Sequence, residues 1–510
     1  MITAITVLIA LGILGWGFYR ARSLGKMGIL AWLQSAVLMA PWLLFFGLFA
    51  AGIYLNIVGV LFLFVLSVGA YILIGKRLRV LSQEAALAQR VSTIARQEIA
   101  RQEIVTQEIA TQEIATTDPA KLEAKAIASE KPSSEAELEI LPIPDADLKA
   151  IQGIFGVDTF FATATIPYQE GAIFRGNLRG EVEPTFARLS ENLRERLDDR
   201  YRLFLVENPE GKPVVIVLPS SRDPQPLTLA QKSFAIGLML ATIATCLESA
   251  GFMLDFDLAL SPDRLGEALP LALGLLTILT AHEVGHWLMA RRHQVHLSLP
   301  FFIPTLQIGS LGAINRFEST LPNRSVLFDV AFAGPAVGGL ISLGMLVIGL
   351  LISHAGNLFK VPTEFFQGSI LVGTLARVVL RESLQQPFVD VHPLVILGWL
   401  GLVINALSLL PAGQLDGGRI VQAIYGRKTA GRTTLASLVL LGLAALVNPL
   451  ALYWAIVVLF LQRELERPSL NELTEPNDAR AALALLGLFL MIVTLIPLTP
   501  SLAGRLGIGT

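Results

Sequence analysis

Apolar residues in this chain gather into long unbroken runs, the pattern of segments that are hydrophobic all round rather than on one face. Runs near 3–19, 28–48 and 53–75 each match the roughly 17–25 residues that a helix needs to cross a bilayer. Further runs at 232–253, 267–290, 326–353, 393–411 and 481–498 predict a second block of spans. The stretch 433–463 fits either one kinked helix or a tight hairpin turned at Asn448-Pro449, so the total is nine or ten. Basic clusters follow the first run (Arg20, Arg22, Lys26) and the third (Lys76, Arg77, Arg79), and Arg291 and Arg292 follow the run at 267–290. The positive-inside bias assigns these clusters to the cytosolic side and the N-terminus to the outside.

Between the two blocks the pattern changes. Gln-Glu-Ile recurs at five-residue steps from 97, 102, 107 and 112. Each step turns a helix by about 500°, so the isoleucines spiral and form no lasting seam. Residues 80–139 therefore read as a solvated, low-complexity repeat and linker. Residues 140–222 have the mixed patterning of a small α+β domain. The segments "DADLKAIQGIFG" and "EPTFARLSENLRERLDDR" are helical in pattern, and "YRLFLVENPEGKPVVIVLPS" predicts a hairpin. The expected organisation is a three-span block at 1–79, the linker at 80–139, the cytosolic α+β domain at 140–222, and a membrane core at 223–510.

Composition agrees with a polytopic α-helical membrane protein. Only 16% of the 510 residues are charged and 53% are hydrophobic, against about 25% charged in soluble proteins; mean hydropathy is +0.62. The net charge of −2 offers no argument for nucleic acid as a partner. A single cysteine, Cys246, excludes an intramolecular disulfide and a cysteine-rich metal site. The opening "MITAITVLIALGILGWGFYRAR" has neither a signal peptide's basic leader nor the Arg- and Ser-rich character of a transit peptide. It reads as an uncleaved span, as expected for a chain inserted in a bacterial membrane.

Candidate chemistry lies in "TILTAHEVGHWLMARRH", residues 277–293. Ionisable groups inside a span are costly and need a partner or a function. His282 and His286 are four apart, so about 400° of rotation returns both imidazoles to one helix face. From there two neutral nitrogens can hold Zn²⁺, with Glu283 placed to take a proton from water activated by the metal. The chain has only six histidines, which makes this spacing hard to ascribe to chance. A third ligand is expected, and His293, His296, His354 and His392 lie beyond span ends. The stretch "NALSLLPAGQLDGGR", residues 405–419, supplies a carboxylate instead. Asp416 follows an apolar run amid Pro411, Gly413, Gly417 and Gly418. Irregular backbone at membrane depth is tolerated where it is buried or lines a wet cavity. Asp416 would complete a His₂Asp set with water in the fourth position.

With both motifs in view, the chain resembles the site-2 proteases, the intramembrane zinc metalloproteases marked by His-Glu-x-x-His and a later Leu-Asp-Gly. It is most similar to their EGY-type branch in cyanobacteria and chloroplasts. Gly-Asn-Leu-Arg at 176–179, "FFIPTLQIGSLGAINRF" at 301–317 and "FAGPAVGG" at 332–339 carry that resemblance, which spans about 140–465. It implies one Zn²⁺ per chain held by His282, His286 and Asp416, with Glu283 as catalytic base. It also implies transmembrane proteins as substrates, and a bacterial, cyanobacterial plasma or thylakoid membrane as the setting. In one respect the chain departs from the family, which has Asn-x-x-Pro where this sequence has Ser408 before Pro411. Asn405, one turn earlier, could compensate. Asn405, Ser408, Gly309 and Ser310 are the expected substrate contacts, the last two within an apolar, Pro- and Gly-broken stretch at 294–325 suited to pairing with an unwound substrate strand. The alternative reading of that stretch is an interfacial connector. Gly334, Pro335, Gly338 and Gly339 are expected chiefly to allow close helix packing.

Other classes of function make different demands. A membrane scaffold or chaperone with a protease-like core needs none of the four chemical residues. A transporter with a midplane metal site predicts matched broken helices in two halves, which the sequence lacks. A CAAX-type zinc protease shares His-Glu-x-x-His but not the Leu-Asp-Gly-Gly partner.

Overall fold

The computed structural model describes residues 143–508, apart from Gln169, Pro209, 447–448 and 462–463, together with scattered residues between 14 and 77. The expected spans at 3–19, 28–48 and 53–75 thus fall largely outside the described residues, and the repeat at 80–139 falls wholly outside them. The chain divides into two compact units, 1–136 and 137–510. In the first, described residues 14–22 and 28–34 are helical, and the Trp32 indole N–H donates to the Leu14 carbonyl at 3.0 Å.

The second unit begins with an α+β region. Its elements are α1 (Asp145–Gln152), β1 (Phe160–Tyr168), β2 (Gly171–Leu178), α2 (Val182–Leu197), β3 (Tyr201–Glu207) and β4 (Pro213–Pro219). The strands form one antiparallel sheet in the order β1-β2-β4-β3. Alternate residues Leu203, Leu205, Val215 and Val217 join Phe160, Phe174, Leu189 and Leu193 in the core, the period-two burial of a sheet with one covered face. The β3–β4 hairpin and both helices follow the sequence pattern. The β1–β2 hairpin was not legible in the pattern, because Pro167, Gly171 and Gly176 interrupt the alternation of its strands. Gly176, in the Gly-Asn-Leu-Arg motif, is a packing requirement: a Cβ there would lie 2.2 Å from the Phe161 carbonyl oxygen and 2.7 Å from the Phe160 ring.

Among the described residues, four helices are long and apolar enough to cross a membrane. They are α3 (Leu229–Met253), α4 (Leu265–Arg292, with its run beginning at Pro262), α5 (Arg324–Leu351) and, later in the chain, the helix Asp478–Leu495. Capping fixes three of their starts: Thr228 and Gln231 form a reciprocal capping box, and Asn323 and Asn477 accept from backbone N–H groups in the first turns. After α4 comes a hairpin, β5 (Phe301–Thr305) and β6 (Gly309–Ile314), where the sequence suggested either extended segments or a connector. Residues 352–392, which the hydrophobic pattern left unassigned, hold a second hairpin, β7 (Phe359–Pro362) and β8 (Phe388–Val391), around α6 (Ile370–Leu380). They close one end of the bundle over Leu346, Leu350 and Val395.

The expected span at 393–411 is α7 (Pro393–Ser408). The ambiguous stretch divides into two helices, α8 (Asp416–Ala444) and α9 (Pro449–Leu461), which pack together through Leu441, Trp454, Val457 and Val458. Within α8 the helix breaks at Gly426 (φ 79°, ψ 169°), a left-sided conformation that suits glycine. The break frees carbonyls from their i+4 partners. Arg324, at the start of α5, donates to two of them, Ala423 O and Ile424 O, both at 2.7 Å. Helices α10 (Asp478–Leu495) and α11 (Pro500–Leu506) complete the core.

An extended strap at 469–472 joins the α+β region to the helices. Leu205 N–H on the free edge of β3 donates to Leu470 O at 2.8 Å, and Glu472 N–H donates back to Leu205 O at 2.9 Å. On its other side Leu470 and Asn471 donate to Leu321 O and Pro322 O, just before α5.

Within the α+β region, burial and the 2.9 Å bond to the Asp147 carboxylate raise the Tyr201 phenol to about 12 from its ordinary 10.0. The protonated phenol is thus favoured by the fold, so its contribution to stability is complete below pH 10 and is lost as pH rises toward 12. Difference titration of phenolate absorbance, wild type minus Tyr201→Phe, is expected to show one late-titrating tyrosine. A midpoint near 10 would contradict this burial.

Candidate metal centre

Helix α4 presents His282 and His286 on one buried face, 9% and 2% exposed. Their Nε2 atoms lie 3.1 Å apart. The outward nitrogens are both occupied. His286 Nδ1 lies 2.8 Å from Val330 O, and since a carbonyl can only accept, Nδ1 carries the proton. His282 Nδ1 lies 2.8 Å from Asn405 Oδ1, and Asn405 Nδ2 in turn donates to Gly401 O at 2.7 Å. In the neutral rings both Nε2 lone pairs therefore face one shared point.

Asp416 faces the same point. Its Oδ2 lies 3.2 Å from His282 Nε2 and its Oδ1 lies 3.4 Å from His286 Nε2. A tetrahedral ion with bonds near 2.0–2.1 Å has ligand atoms about 3.3 Å apart, so the observed spacings of 3.1–3.4 Å fit the donor set to Zn²⁺. The chemistry fits as well, since two lone pairs and a carboxylate converging in an apolar core call for a cation. Asp416 reaches this position because the loop before α8 folds tightly over the helix start. A Cβ on Gly417 would lie 1.9 Å from Leu409 O, and one on Gly418 would lie 2.2 Å from Gly413 O. The two glycines after the aspartate are thus steric necessities.

Glu283 belongs to the same cluster as the histidines and lines the adjacent cavity. Among the described residues no hydrogen bond or ion pair engages its carboxylate. The cavity is walled by α4, by Ile303 and residues 311–315 of the hairpin, by Ile404, Asn405 and Ser408, and by Arg419 and Trp454. It has room for about 30 Å³ of water-sized occupants.

The expected substrate contacts separate. Asn405 holds His282, and Ser408 lines the cavity with its hydroxyl donating to Asn405 O at 2.9 Å. Gly309 and Ser310 are absent from the cavity wall and serve the hairpin instead. Gly309 (φ +83°) turns the chain against α3, where a Cβ would lie 2.7 Å from Cys246 Sγ and its carbonyl accepts from Thr245 Oγ1 at 2.6 Å. Ser310 is fully buried and bonds Ile303 O and Gly312 O. Leu311, Gly312, Ala313, Ile314 and Asn315 face the cavity in their place, as do Arg419 and Trp454. Residues 311–315 belong to the stretch 294–325 expected to meet a substrate strand, whereas Arg419 and Trp454 were not singled out; an arginine one turn after Asp416 in an apolar setting was the signal that could have found Arg419.

Gly334 and Gly338 of α5 stand directly behind the histidines. A Cβ on Gly334 would lie 2.2 Å from His286 Nε2, and one on Gly338 would lie 2.5 Å from Asn405 Oδ1 and 3.1 Å from His282 Cβ. Gly339 faces open space.

Two histidines and a following glutamate on a helix, met by an aspartate at the start of another within an apolar core, form a donor set of the kind a membrane-embedded metallopeptidase requires. A model of peptidase family M50 matches residues 270–448, and one described as the EGY3 middle domain matches residues 149–226. The Arabidopsis thaliana protein named "Probable zinc metalloprotease EGY1, chloroplastic" is 38% identical over 405 residues, covering 72% of this chain and 74% of that protein. "Probable zinc metalloprotease EGY2, chloroplastic" of Oryza sativa subsp. indica is 36% identical over 389 residues, covering 74% and 71%. "Probable zinc metallopeptidase EGY3, chloroplastic" of Arabidopsis thaliana is 32% identical, covering 69% and 65%. No solved structure matches the chain. The chain belongs to the EGY family of M50, site-2-type peptidases.

The glycines make a controlled test. Gly334→Ala drives a methyl into the His286 ring and is expected to cut bound zinc to well under half of the wild-type stoichiometry, whereas Gly339→Ala retains it. Metal analysis of the purified proteins by mass spectrometry distinguishes them, and full zinc in Gly334→Ala would contradict the described packing.

Proposed function

We propose that this protein is an intramembrane zinc endopeptidase that cuts transmembrane segments of membrane-anchored proteins. The observation that carries the reading is the convergence of His282, His286 and Asp416 on one point, with the unpaired Glu283 carboxylate beside it. The zinc metalloprotease names of its relatives support it. Bound zinc supplies a Lewis acid that polarises the scissile carbonyl and makes water acidic enough to lose a proton near neutral pH. The chain's residues supply the rest. Asn405 and the Val330 carbonyl fix both rings in the Nδ1–H tautomer. Glu283 accepts the proton of the attacking water and delivers it to the leaving amine.

Helical substrate must unwind, because its carbonyls are hydrogen-bonded and shielded by side chains. The extended edge of β6 offers backbone groups to an unwound segment. The cavity's roughly 30 Å³ holds little more than water, so a peptide enters by parting β6 from α4 and α7. The positive-inside bias supports a cytosolic side for the α+β region, the hydrophobic runs support nine or ten spans, and a bacterial membrane is the proposed host.

The test compares the full-length protein with Glu283→Gln in detergent, measuring bound zinc and cleavage of a panel of single-span substrates. Equal zinc is expected, with turnover falling about 10²–10⁴-fold in the variant. Well-folded wild type without zinc, or equal cleavage by both proteins, would overturn the reading in favour of a non-proteolytic scaffold.

A further inference from the structure

We propose that Arg419 is a positioning residue for this reaction, locking the cavity edge of the β5–β6 hairpin to the helix that carries Asp416. The proposal rests on the protease reading for its kinetic part alone. Arg419 lies one turn beyond Asp416 on α8 and is 3% exposed. A guanidinium buried to this degree must be paired and hydrogen-bonded. On one side Nε donates to Glu466 Oε2 at 3.0 Å, and Nη2 lies 2.9 Å from the same oxygen. On the other side Nη1 donates to Asn315 Oδ1 at 2.6 Å and Nη2 donates to Asn315 O at 2.7 Å. The ring of Phe317 lies 5.0 Å from the guanidinium carbon. One flat group thus joins three separate segments: α8, the end of β6, and the chain that follows α9.

Neutralising the charge needs only Glu466. The bonds to Asn315 are additional, and they fall on the residue where the hairpin leaves the cavity wall. The partners occupy two adjacent edges of the guanidinium, Nε/Nη2 toward Glu466 and Nη1/Nη2 toward Asn315, which suits a rigid planar fork better than the point charge of lysine. Glu466 is itself held without help from Arg419, since Gln422 donates to its backbone carbonyl at 3.1 Å and Arg427 donates to the same oxygen. The anchor is therefore fixed, and what Arg419 adds is the position of residues 311–315 relative to Asp416 and Glu283.

Hydrogen–deuterium exchange, with zinc content and thermal melting, tests this in the full-length Glu283→Gln protein, so that the outcome does not depend on cleavage. The variants are Arg419→Lys, which keeps the charge, and Asn315→Ala, which leaves the Arg419–Glu466 pair intact should the first fold poorly. Amides of 311–315 are expected to exchange about tenfold faster in both, with the 278–290 amides, zinc and melting temperature unchanged. In proteins that retain Glu283, kcat on a single-span substrate is expected to fall about tenfold with KM little altered. Unchanged exchange at 311–315 would overturn the proposal. So would loosening of the whole core with loss of zinc, which would make Arg419 a structural ion-pair member only. If exchange changes as expected but no variant or wild type cleaves, the protease reading fails while the clamp stands.

Discussion

Two imidazole nitrogens and both oxygens of one carboxylate have to be held with contacts of 3.1–3.4 Å inside an apolar helical core, and the membrane region is organised by that requirement. Two imidazole nitrogens and a carboxylate at this spacing call for a positive charge between them, which a metal ion supplies for the whole set and a proton for one nitrogen only. Until a cation neutralises them, the protein must hold them by other means. A helix supplies part of the rigidity, since residues four apart share a face without adjustable backbone between them. The rest comes from hydrogen bonds on the far side of each ring, to Asn405 and to the Val330 carbonyl. Because both partners lie on other helices, the site cannot form until α4, α5 and α7 have packed.

That packing has no hydrophobic drive of the usual kind, because lipid is as apolar as a leucine side chain. Close approach takes its place. Gly285 brings α4 to within van der Waals contact of the α5 backbone, where a Cβ would lie 2.6 Å from Ala333 O. Gly398 and Gly401 do the same for α7 against α5, at Leu346 and Ser342. The glycines beside the metal site and those remote from it thus belong to one mode of assembly. The difference is what a methyl would strike: backbone at Gly285 and Gly398, the ligand ring itself at Gly334.

How much of this was legible in the sequence follows from the range over which each feature is determined. His282, Glu283 and His286 are set by helical periodicity alone, and spacing sufficed to bring them together. Asp416 lies far away in the chain, yet its glycines and apolar lead-in marked a tight turn at membrane depth, and the turn is there. The four long apolar helices α3, α4, α5 and α10 were readable because hydrophobicity is local. The β1–β2 hairpin was not, because Pro167, Gly171 and Gly176 interrupt its pattern and the strands are held by pairing, β1 to β2 and β2 to β4, that spacing along the chain does not announce. Gly309 and Ser310 were misassigned for a related reason. Their sequence announced a break in regular structure, but only the packing of Gly309 on Cys246 shows that the break serves the hairpin turn and that residues 311–315 meet the cavity. Asn405 was expected to meet substrate; it lines the cavity and also orients a histidine, a role that depends on the rotamer of one amide.

The polar groups buried away from the metal follow the same logic at longer range. Arg324 satisfies carbonyls released by the break at Gly426, the half-buried Arg480 meets Asp329 through two bonds of 2.7 and 2.8 Å, and Arg419 joins Glu466 to Asn315. Each arginine ties together segments that are remote in sequence, at places where helices end or break. Buried ion pairs add little net stability relative to apolar packing, so their value here is better sought in geometry. Apolar contacts between helices in lipid tolerate sliding and rotation, since one leucine surface resembles another. A planar fork with fixed partners does not. The arginines therefore select one register of the bundle from many of similar apolar energy, and that register is the one in which Asp416 faces the histidines of α4.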